Sequence, residues 1–375
     1  MEIKGIKYTA PFFDSSGYAK ASRENVLSLY KLGIPIKINP ISFEKARPDL
    51  GEDGEILRSL INKDVDYNVN IIHTTPEFWK NHKEDGVLNC GYTIWETDRL
   101  HPSWPNYINN NVDMCMVGCQ WNVDIFKKSG VIVPIFNVPH VIDTVKFEGI
   151  GEYNIKGLSD DTFMFYSIFQ WQERKNPIAT IRAYWRAFMS GEDVALVLKT
   201  YRSDYSDQEK DAVRKMLINL KKMSPSVNHP KIYLIPDMLS EDEMLSLHRR
   251  GDCYVSLDRG EGFGLSTAYA GCAGKPVIST GFGGVTEYLN EENSYLVDYI
   301  LTPVAGMPWS PWYLMEQSWA EADIIHGANL MKEVYNNREE ALNRGTKLKE
   351  YLQSNFNYAS IGNKIVDAIN KTQKE

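Results

Sequence analysis

Residues 260–289 read GEGFGLSTAYAGCAGKPVISTGFGGVTEYL, with eight glycines in two clusters around one lysine and two glutamates, Glu261 and Glu287. Glycine costs conformational entropy on folding, so its repeated use marks tight turns or a close approach of backbone to another group. The runs that precede the clusters, CYVSLD and KPVIST, are short and apolar and read as strands; helices follow from near Leu265 and near Val285. A strand-to-helix turn presents backbone N–H groups and the positive end of a helix dipole, which suits an anion. Two such turns on one sheet edge suit a diphosphate. Glu261 and Glu287 would repel phosphate, so they must face another part of the ligand, and ionised oxygens bond well to sugar hydroxyls. A sugar joined to a diphosphate meets both demands.

These turns need a sheet to hold them. From residue 162 the chain alternates short apolar runs with longer amphipathic ones: TFMFYSIF then NPIATIRAYWRAF, VALVLKTY then DQEKDAVRKMLINLKKM, KIYLIP then SEDEMLSLHRRG. Nearly all-apolar strands, each followed by a helix, imply a parallel sheet covered on both faces, with ligands beyond the carboxyl ends of its strands. Ser240 and Glu243 form a capping box, and Gly251 closes that helix. The first half repeats the theme: EIKGIKYTA is a strand, GYAKASRENVLSLYKLG a helix, and PIKINPI, VNIIHTT, LNCGYTIWE, DMCMVG and IFNVPHV are further strands. A chain of 375 residues exceeds one ordinary core. The expectation is therefore an α/β protein of two doubly wound, Rossmann-like lobes facing across a cleft. Residues 1–150 form the first lobe and 151–355 the second, joined near the polar stretch at 148–160, with a last helix over about 356–375. The aromatic segment MPWSPWYLMEQSWAEAD (307–323) reads as an extended loop packed on the second lobe.

The order E-G-F-G-L, then A-x-G-K-P-V-I, then G-G-x-x-E resembles the nucleotide-sugar site of GT-B glycosyltransferases, in particular glycosyltransferase family 4. The similarity is specific over 258–289 and looser through FFDSSGYAKASRENVLSLYKLG, GYTIWETDRLHPSW, QWNVDIFKKSG and VPHVID. It implies that the second lobe holds the donor and the first the acceptor, and that the last helix crosses back to the first lobe. Carried over by residue, Glu261 contacts donor sugar hydroxyls, Gly262, Phe263, Gly264 and Leu265 line sugar and phosphate, and Glu287 with Gly283 and Gly284 matches the later element. Tyr269 stands where the family has a second glutamate, eight residues after the first, that often bonds the nucleoside ribose. Arg174 and Lys175, in QWQERKNP, match the basic element that a departing diphosphate needs, with Lys199 as a second choice. In DSSGYAK, Ser15, Ser16 and Gly17 resemble a first loop whose N–H groups approach the diphosphate; the same residues also read as a plain helix start with an N-cap. Glu96 and Asp98 are candidates for acceptor activation or for stabilising an oxocarbenium-like centre, or else for a salt bridge to Arg99. His73 and His140 are acceptor-side or structural residues.

Other chemistries find less support. The five cysteines lie in apolar sequence without framework spacing, and no histidine has partners at ligand spacing, so neither disulfides nor a metal are implied. Asp64-Val65-Asp66 matches the metal-binding D-x-D of the other large glycosyltransferase fold, but it precedes a strand instead of ending one and reads as loop. A net charge of −8 does not indicate a nucleic-acid grip, although a modified nucleobase is among the acceptors such enzymes use. The basic pairs at Arg249-Arg250 and Lys221-Lys222 read as solvated helix faces. No secretion signal or membrane span is read, which leaves a cytoplasmic protein as the expectation. The resemblance therefore implies a retaining, metal-independent hexosyl- or pentosyltransferase without cofactor, with a UDP- or GDP-linked sugar as co-substrate. A sugar-nucleotide-binding protein with impaired catalysis, and an epimerase or phosphorylase of the same fold, are the alternatives. Neither the acceptor (glycan, lipid, protein or nucleobase) nor an oligomeric state is selected.

Overall fold

The computed structural model describes residues 2–44, 47–226 and 228–373. The chain divides into two compact units, residues 1–143 with 353–375, and residues 144–352.

The first unit runs β1 (Ile6–Pro11), α1 (Gly17–Lys31), β2 (Ile36–Ile41), α2 (Gly51–Ser59), β3 (Val69–His73), β4 (Leu88–Thr93), α3 (Trp104–Asn111), β5 (Met114–Val117), α4 (Gln120–Lys128) and β6 (Ile135–Asn137). Its six strands are all parallel, in the order β2-β1-β3-β4-β5-β6. Every residue of β3 is buried, the mark of a strand covered on both faces.

The second unit runs β7 (Phe163–Gln170), α5 (Pro177–Ala187), β8 (Val194–Tyr201), α6 (Asp207–Met223), β9 (Lys231–Ile235), α7 (Glu241–Arg250), β10 (Cys253–Ser256), α8 (Leu265–Cys272), β11 (Val277–Thr280), β12 (Tyr295–Val297), β13 (Tyr299–Pro303), β14 (Ser318–Ala322), α9 (Ile324–Asn336) and α10 (Arg338–Asn355). Its main sheet is also parallel, in the order β12-β11-β10-β7-β8-β9. The carboxyl ends of β10 and β11 therefore open on one edge, side by side, with the end of β7 next to β10. The capping box at Ser240 and Glu243 is present and Gly251 caps α7.

The last helix, α11 (Tyr358–Thr372), belongs to the first unit and packs on α1. Gly362 permits the approach, since a Cβ there would lie 2.6 Å from Ser28 Oγ. Ser28 Oγ donates to the Tyr358 carbonyl at 2.5 Å, and Glu24 accepts from the Tyr358 hydroxyl. These contacts explain why α1 buries Glu24 and Ser28; its buried Ser22 and Asn25 meet His73 (3.1 Å) and the Tyr8 hydroxyl (3.2 Å) instead.

Two expectations are corrected here. The segment 307–323 is not simply an extended loop: residues 318–322 are β14, antiparallel to β13. Trp319, in β14, is buried against Val304 and Met307, whereas Trp309 is 62% exposed. Arg250 is not a solvated helix residue either; it is 6% exposed and donates to the carbonyls of Ser159 (2.9 Å) and Thr162 (3.2 Å). Among the described residues no helix is long and apolar enough to cross a membrane.

Candidate active site

Three loops of the second unit converge at the carboxyl ends of neighbouring strands: 171–176 after β7, 257–264 after β10 and 281–287 after β11. The first brings Arg174 and Lys175 to Glu261 of the second. Lys175 Nζ donates to Glu261 Oε1, Arg174 Nη1 lies 3.3 Å from Oε2, and Arg174 also donates to the Gly260 carbonyl at 2.7 Å. The Arg259 amide donates to the Arg174 carbonyl at 2.7 Å, so the two loops are also tied through backbone. The side chains of Arg174, Lys175 and Glu261 are 11, 18 and 13% exposed, which weakens solvent screening and strengthens the pairing. Burial alone would raise the Glu261 pKa; the charges and hydrogen bonds of Lys175 and Arg174 outweigh it and hold the carboxyl below its ordinary value.

The second glycine cluster has a different use from the one its sequence suggests. A Cβ on Gly284 would lie 2.1 Å from the Gly262 carbonyl oxygen, and one on Gly283, whose φ is +80°, 2.9 Å from that of Glu261. The Gly284 amide donates to the Glu261 carbonyl at 2.7 Å. Both glycines therefore serve to seat one turn against the other. The Gly284 N–H is spent on protein and is not among the donors the turn after β11 can offer an anion, whereas the start of α8 keeps its amides clear of side-chain caps. There Gly264, at φ +83°, is an N-cap without a side chain, and the first-turn amides receive no side-chain cap. Leu265 is the first residue of that turn, and Phe263 packs on Tyr288 with ring centroids 5.3 Å apart. Glu287 ends the short 3-10 turn Gly283–Glu287 and is partly exposed.

Sequence reading missed three groups that hold this arrangement. The Tyr288 hydroxyl reaches the carbonyls of Phe263 (3.0 Å) and Gly264 (2.8 Å). Arg259 donates to Glu321 at 2.6 Å and to the Glu173 carbonyl at 2.8 Å, and its own carbonyl accepts from the Ala320 amide at 2.8 Å, so β14 braces the loop that carries Glu261. Asp258, at 1% exposure, lies directly before that loop. The sequence signal for Asp258 and Arg259 was a charged pair at the end of an apolar strand; for Tyr288 there was none. Tyr288→Phe removes the hydroxyl that spans the two loops. It is expected to cost about 1 kcal/mol, read as a melting temperature lowered by about 2–4 °C.

Two donor-side candidates lie apart from the ion cluster. Lys199, near the end of β8, is 4% exposed with its ammonium 5.0 Å from the Tyr205 ring and 5.9 Å from the Tyr201 ring, and burial draws its pKa down to about 8. Tyr269 is 6% exposed and packs beside Phe147 and His248, with both ring centroids 6.4 Å away. Its ring packs in this cluster at the position where the family's second glutamate would stand.

In the first unit, Ser16 is the N-cap of α1: its hydroxyl accepts from the Ala19 amide. Its own amide and hydroxyl donate to Asp14 Oδ1 at 3.0 and 2.6 Å. The amide is thus engaged by Asp14 and is not free to meet a phosphate. Ser15 donates to Glu44 at 2.6 Å, and Gly17 has open space where a Cβ would sit. His73 and His140 are both buried, with ring centroids 6.4 Å apart. Tyr92 spends its single hydroxyl proton on the Val138 carbonyl at 2.6 Å, so His140 Nδ1, at 3.0 Å, must carry a proton and donate to the phenol oxygen. Burial pushes His140 down to about 3 and His73 well below its ordinary value, so both are neutral at pH 7. Asp98 pairs with Arg99 at 3.0 Å, and Glu96 acts electrostatically on Tyr18, whose hydroxyl meets Thr93 Oγ1 at 2.8 Å. Asp64-Val65-Asp66 lies outside regular structure before β3. The five cysteines are buried thiols outside any disulfide, and no group of three or more metal-binding side chains occurs among the described residues.

No family model matches the chain. A protein of Sulfolobus islandicus rod-shaped virus 1, itself uncharacterised, is 22% identical over 215 residues; the match spans 56% of each chain, about half the length of that relative. Among solved structures, HepE of Anabaena in complex with UDP and glucose superposes with a TM-score of 0.67 at 12% identity, covering 98% of this chain and all of that one. Sucrose-phosphate synthase of Thermosynechococcus elongatus gives 0.69 at 13% identity over 99% of both chains. The pneumococcal O-GlcNAc transferase GtfA in complex with UDP and GlcNAc gives 0.63 at 12% identity over both whole chains. Likeness at this identity speaks to architecture, and with the two parallel six-stranded sheets it identifies the chain as a GT-B fold.

Proposed function

We propose that this chain is a retaining, metal-independent glycosyltransferase that moves a hexose or pentose from a UDP- or GDP-linked donor to an acceptor, in the cytoplasm. The observation that carries the reading is the ion cluster of Glu261 with Arg174 and Lys175 beside the uncapped start of α8. As the glycosidic bond to a diphosphate breaks, negative charge grows on the phosphate oxygens. Two side-chain cations and first-turn amides aimed there lower the barrier, as preorganised dipoles do elsewhere. These cations supply what a divalent ion supplies in metal-dependent transfer. Glu261 and Glu287 accept hydrogen bonds from donor hydroxyls, and Phe263 and Leu265 border the sugar. The acceptor attacks on the face from which the diphosphate leaves and passes its proton to the departing phosphate oxygen, so configuration is kept. Glu96 and Asp98 of the first unit contact the acceptor.

The fold likeness to proteins crystallised with UDP, glucose or GlcNAc supports the donor class. The test is incubation with a panel of UDP- and GDP-sugars in the presence of a chelator, with nucleotide release and the anomeric configuration of the product as readouts. Release of nucleotide unaffected by the chelator, with configuration kept, is the expected result. Failure to bind or cleave any member of the panel would overturn the proposal.

A further inference from the structure

Asp258 follows β10 and sits beneath the ion cluster, 1% exposed. Its Oδ2 accepts from Ser256 Oγ at 2.7 Å, while Oδ1 is buried with no hydrogen-bond partner among the described residues. Its backbone carbonyl accepts from Thr280 Oγ1 at 2.7 Å, which fixes it to β11. A buried, ionised carboxylate normally recruits donors to both oxygens, so an orphaned Oδ1 points to a carboxyl that need not be charged.

The charged groups around it can be counted. From the β7 loop come Lys175 and Arg174, both favouring ionisation, and from its own loop comes Glu261, which opposes it. Tyr254 of β10 and Tyr288 beyond β11 lie within the field of Asp258 and are themselves held neutral by burial. Arg259 is balanced by Glu321 at 2.6 Å and Glu173 at 3.5 Å. The cluster is thus two cations against two carboxyls. With both carboxyls ionised it is neutral; with a proton on Asp258 it carries one net positive charge.

We infer that Asp258 is a positioning residue whose proton sets the charge of the Arg174–Lys175–Glu261 cluster, so that a nucleotide diphosphate is taken up by the protonated form and the proton returns to solvent when the diphosphate leaves. The inference rests on the donor class proposed above. Burial first, then the charge of Glu261, pushes the Asp258 pKa up to about 7, against Lys175, Ser256 and Arg174, so the switch falls in the physiological range. The sign follows directly: below that pH the proton is already in place and affinity is flat, and above it each pH unit costs up to tenfold, the limit for one linked proton.

UDP-glucose and GDP-glucose suit the test because their diphosphate diester keeps its charge from pH 5.5 to 8.5. Titration calorimetry of the full chain is expected to show the affinity for the bound member falling by about 25-fold between pH 6.5 and 8.5, with proton uptake seen as a dependence on buffer ionisation heat. In Asp258→Asn, which keeps the Ser256 contact but cannot ionise, the change is expected to stay within about twofold. Ser256→Ala removes a bond that favours the ionised form, so its affinity should begin to fall at a higher pH. Thermal melting without ligand gives an independent reading, since a carboxyl with a raised pKa loses stability as pH rises from 5 to 8, and Asp258→Asn should not share that loss. Binding with the same pH profile in wild type and Asp258→Asn, or parallel melting curves, overturns this inference and leaves the donor class standing. If neither binds, the titration is repeated across the panel of UDP- and GDP-sugars, and if no member binds at any pH the donor class falls and this inference falls with it.

Discussion

Lys175→Ala is expected to lower kcat/KM for the nucleotide sugar by about 10²- to 10³-fold, the usual cost of removing one group aimed at charge that develops in a transition state. The reason lies in what Lys175 faces. It meets Glu261 on the loop between β10 and α8, beside amides that receive no side-chain cap, where a diphosphate leaving group would gather charge. Arg174 remains in the variant, but it also donates to the Gly260 carbonyl and lies farther from Glu261, so it cannot replace the lost cation. Because the pair is nearly buried, removing Lys175 also leaves Glu261 with one cation fewer, so the kinetics are read at a temperature where a melting curve without ligand shows the variant folded. A variant that is folded at the assay temperature and still loses turnover places the loss in the chemistry. Glu261→Gln separates the roles within the cluster. It leaves both cations without their carboxylate partner, so affinity for UDP or GDP alone should hold or rise while turnover of the sugar nucleotide falls by about 10²-fold. The double variant should fall short of the product of the single effects, since the residues act as one unit. Turnover within about threefold of wild type in both single variants would place the chemistry elsewhere.

Much of the architecture was readable because both sheets are parallel and covered on both faces, so each strand is a short apolar run and each helix an amphipathic one. The caps of α7 were readable for a local reason: Ser240 and Glu243 satisfy each other's backbone within one turn. The hairpin of β13 and β14 was not. Its strands are joined by 14 residues with no tight-turn signal (304–317), and β13 is apolar yet exposed at Ile300 and Leu301. The meeting of Glu261 with Arg174 and Lys175 could be expected from loops on adjacent strands, but not the burial of Asp258, which is 1% exposed and tied through its carbonyl to Thr280 of β11. Ser16 shows the reverse failure. The local Asp14-Ser15-Ser16 pattern predisposes to a side-chain bond to the amide two residues on, and that bond consumes the N–H that a phosphate would have needed. Gly283 and Gly284 are ambiguous for a related reason, since glycine reports a close approach without saying to what.

That ambiguity leads to the sharpest structural expectation, which concerns Gly284→Ala. A methyl group there meets only backbone: the Gly262 oxygen at 2.1 Å, the Gly262 carbon at 2.3 Å and the Phe263 nitrogen at 2.7 Å. No side chain can rotate away, so the two turns must separate by about 1 Å to restore normal contact. The Gly284 N–H to Glu261 carbonyl bond then stretches beyond use. Overpacking of this kind costs about 1–3 kcal/mol or more, and displacement of a reacting group by about 1 Å can cost about 10²-fold in rate. Gly284→Ala should therefore lower both melting temperature and donor turnover, the latter by about 10²-fold. Gly281→Ala is the matched control in the same loop: its Cβ would lie 3.5 Å from Leu296 Cβ, an ordinary contact, and it should be tolerated. If Gly284 instead served to let a ligand approach the backbone, the alanine variant would melt like wild type and fail only in binding. Melting the two variants without ligand thus decides between a glycine kept for the fit of two loops and one kept for the donor. Only the first makes the position of Glu261 depend on its neighbour across the sheet edge.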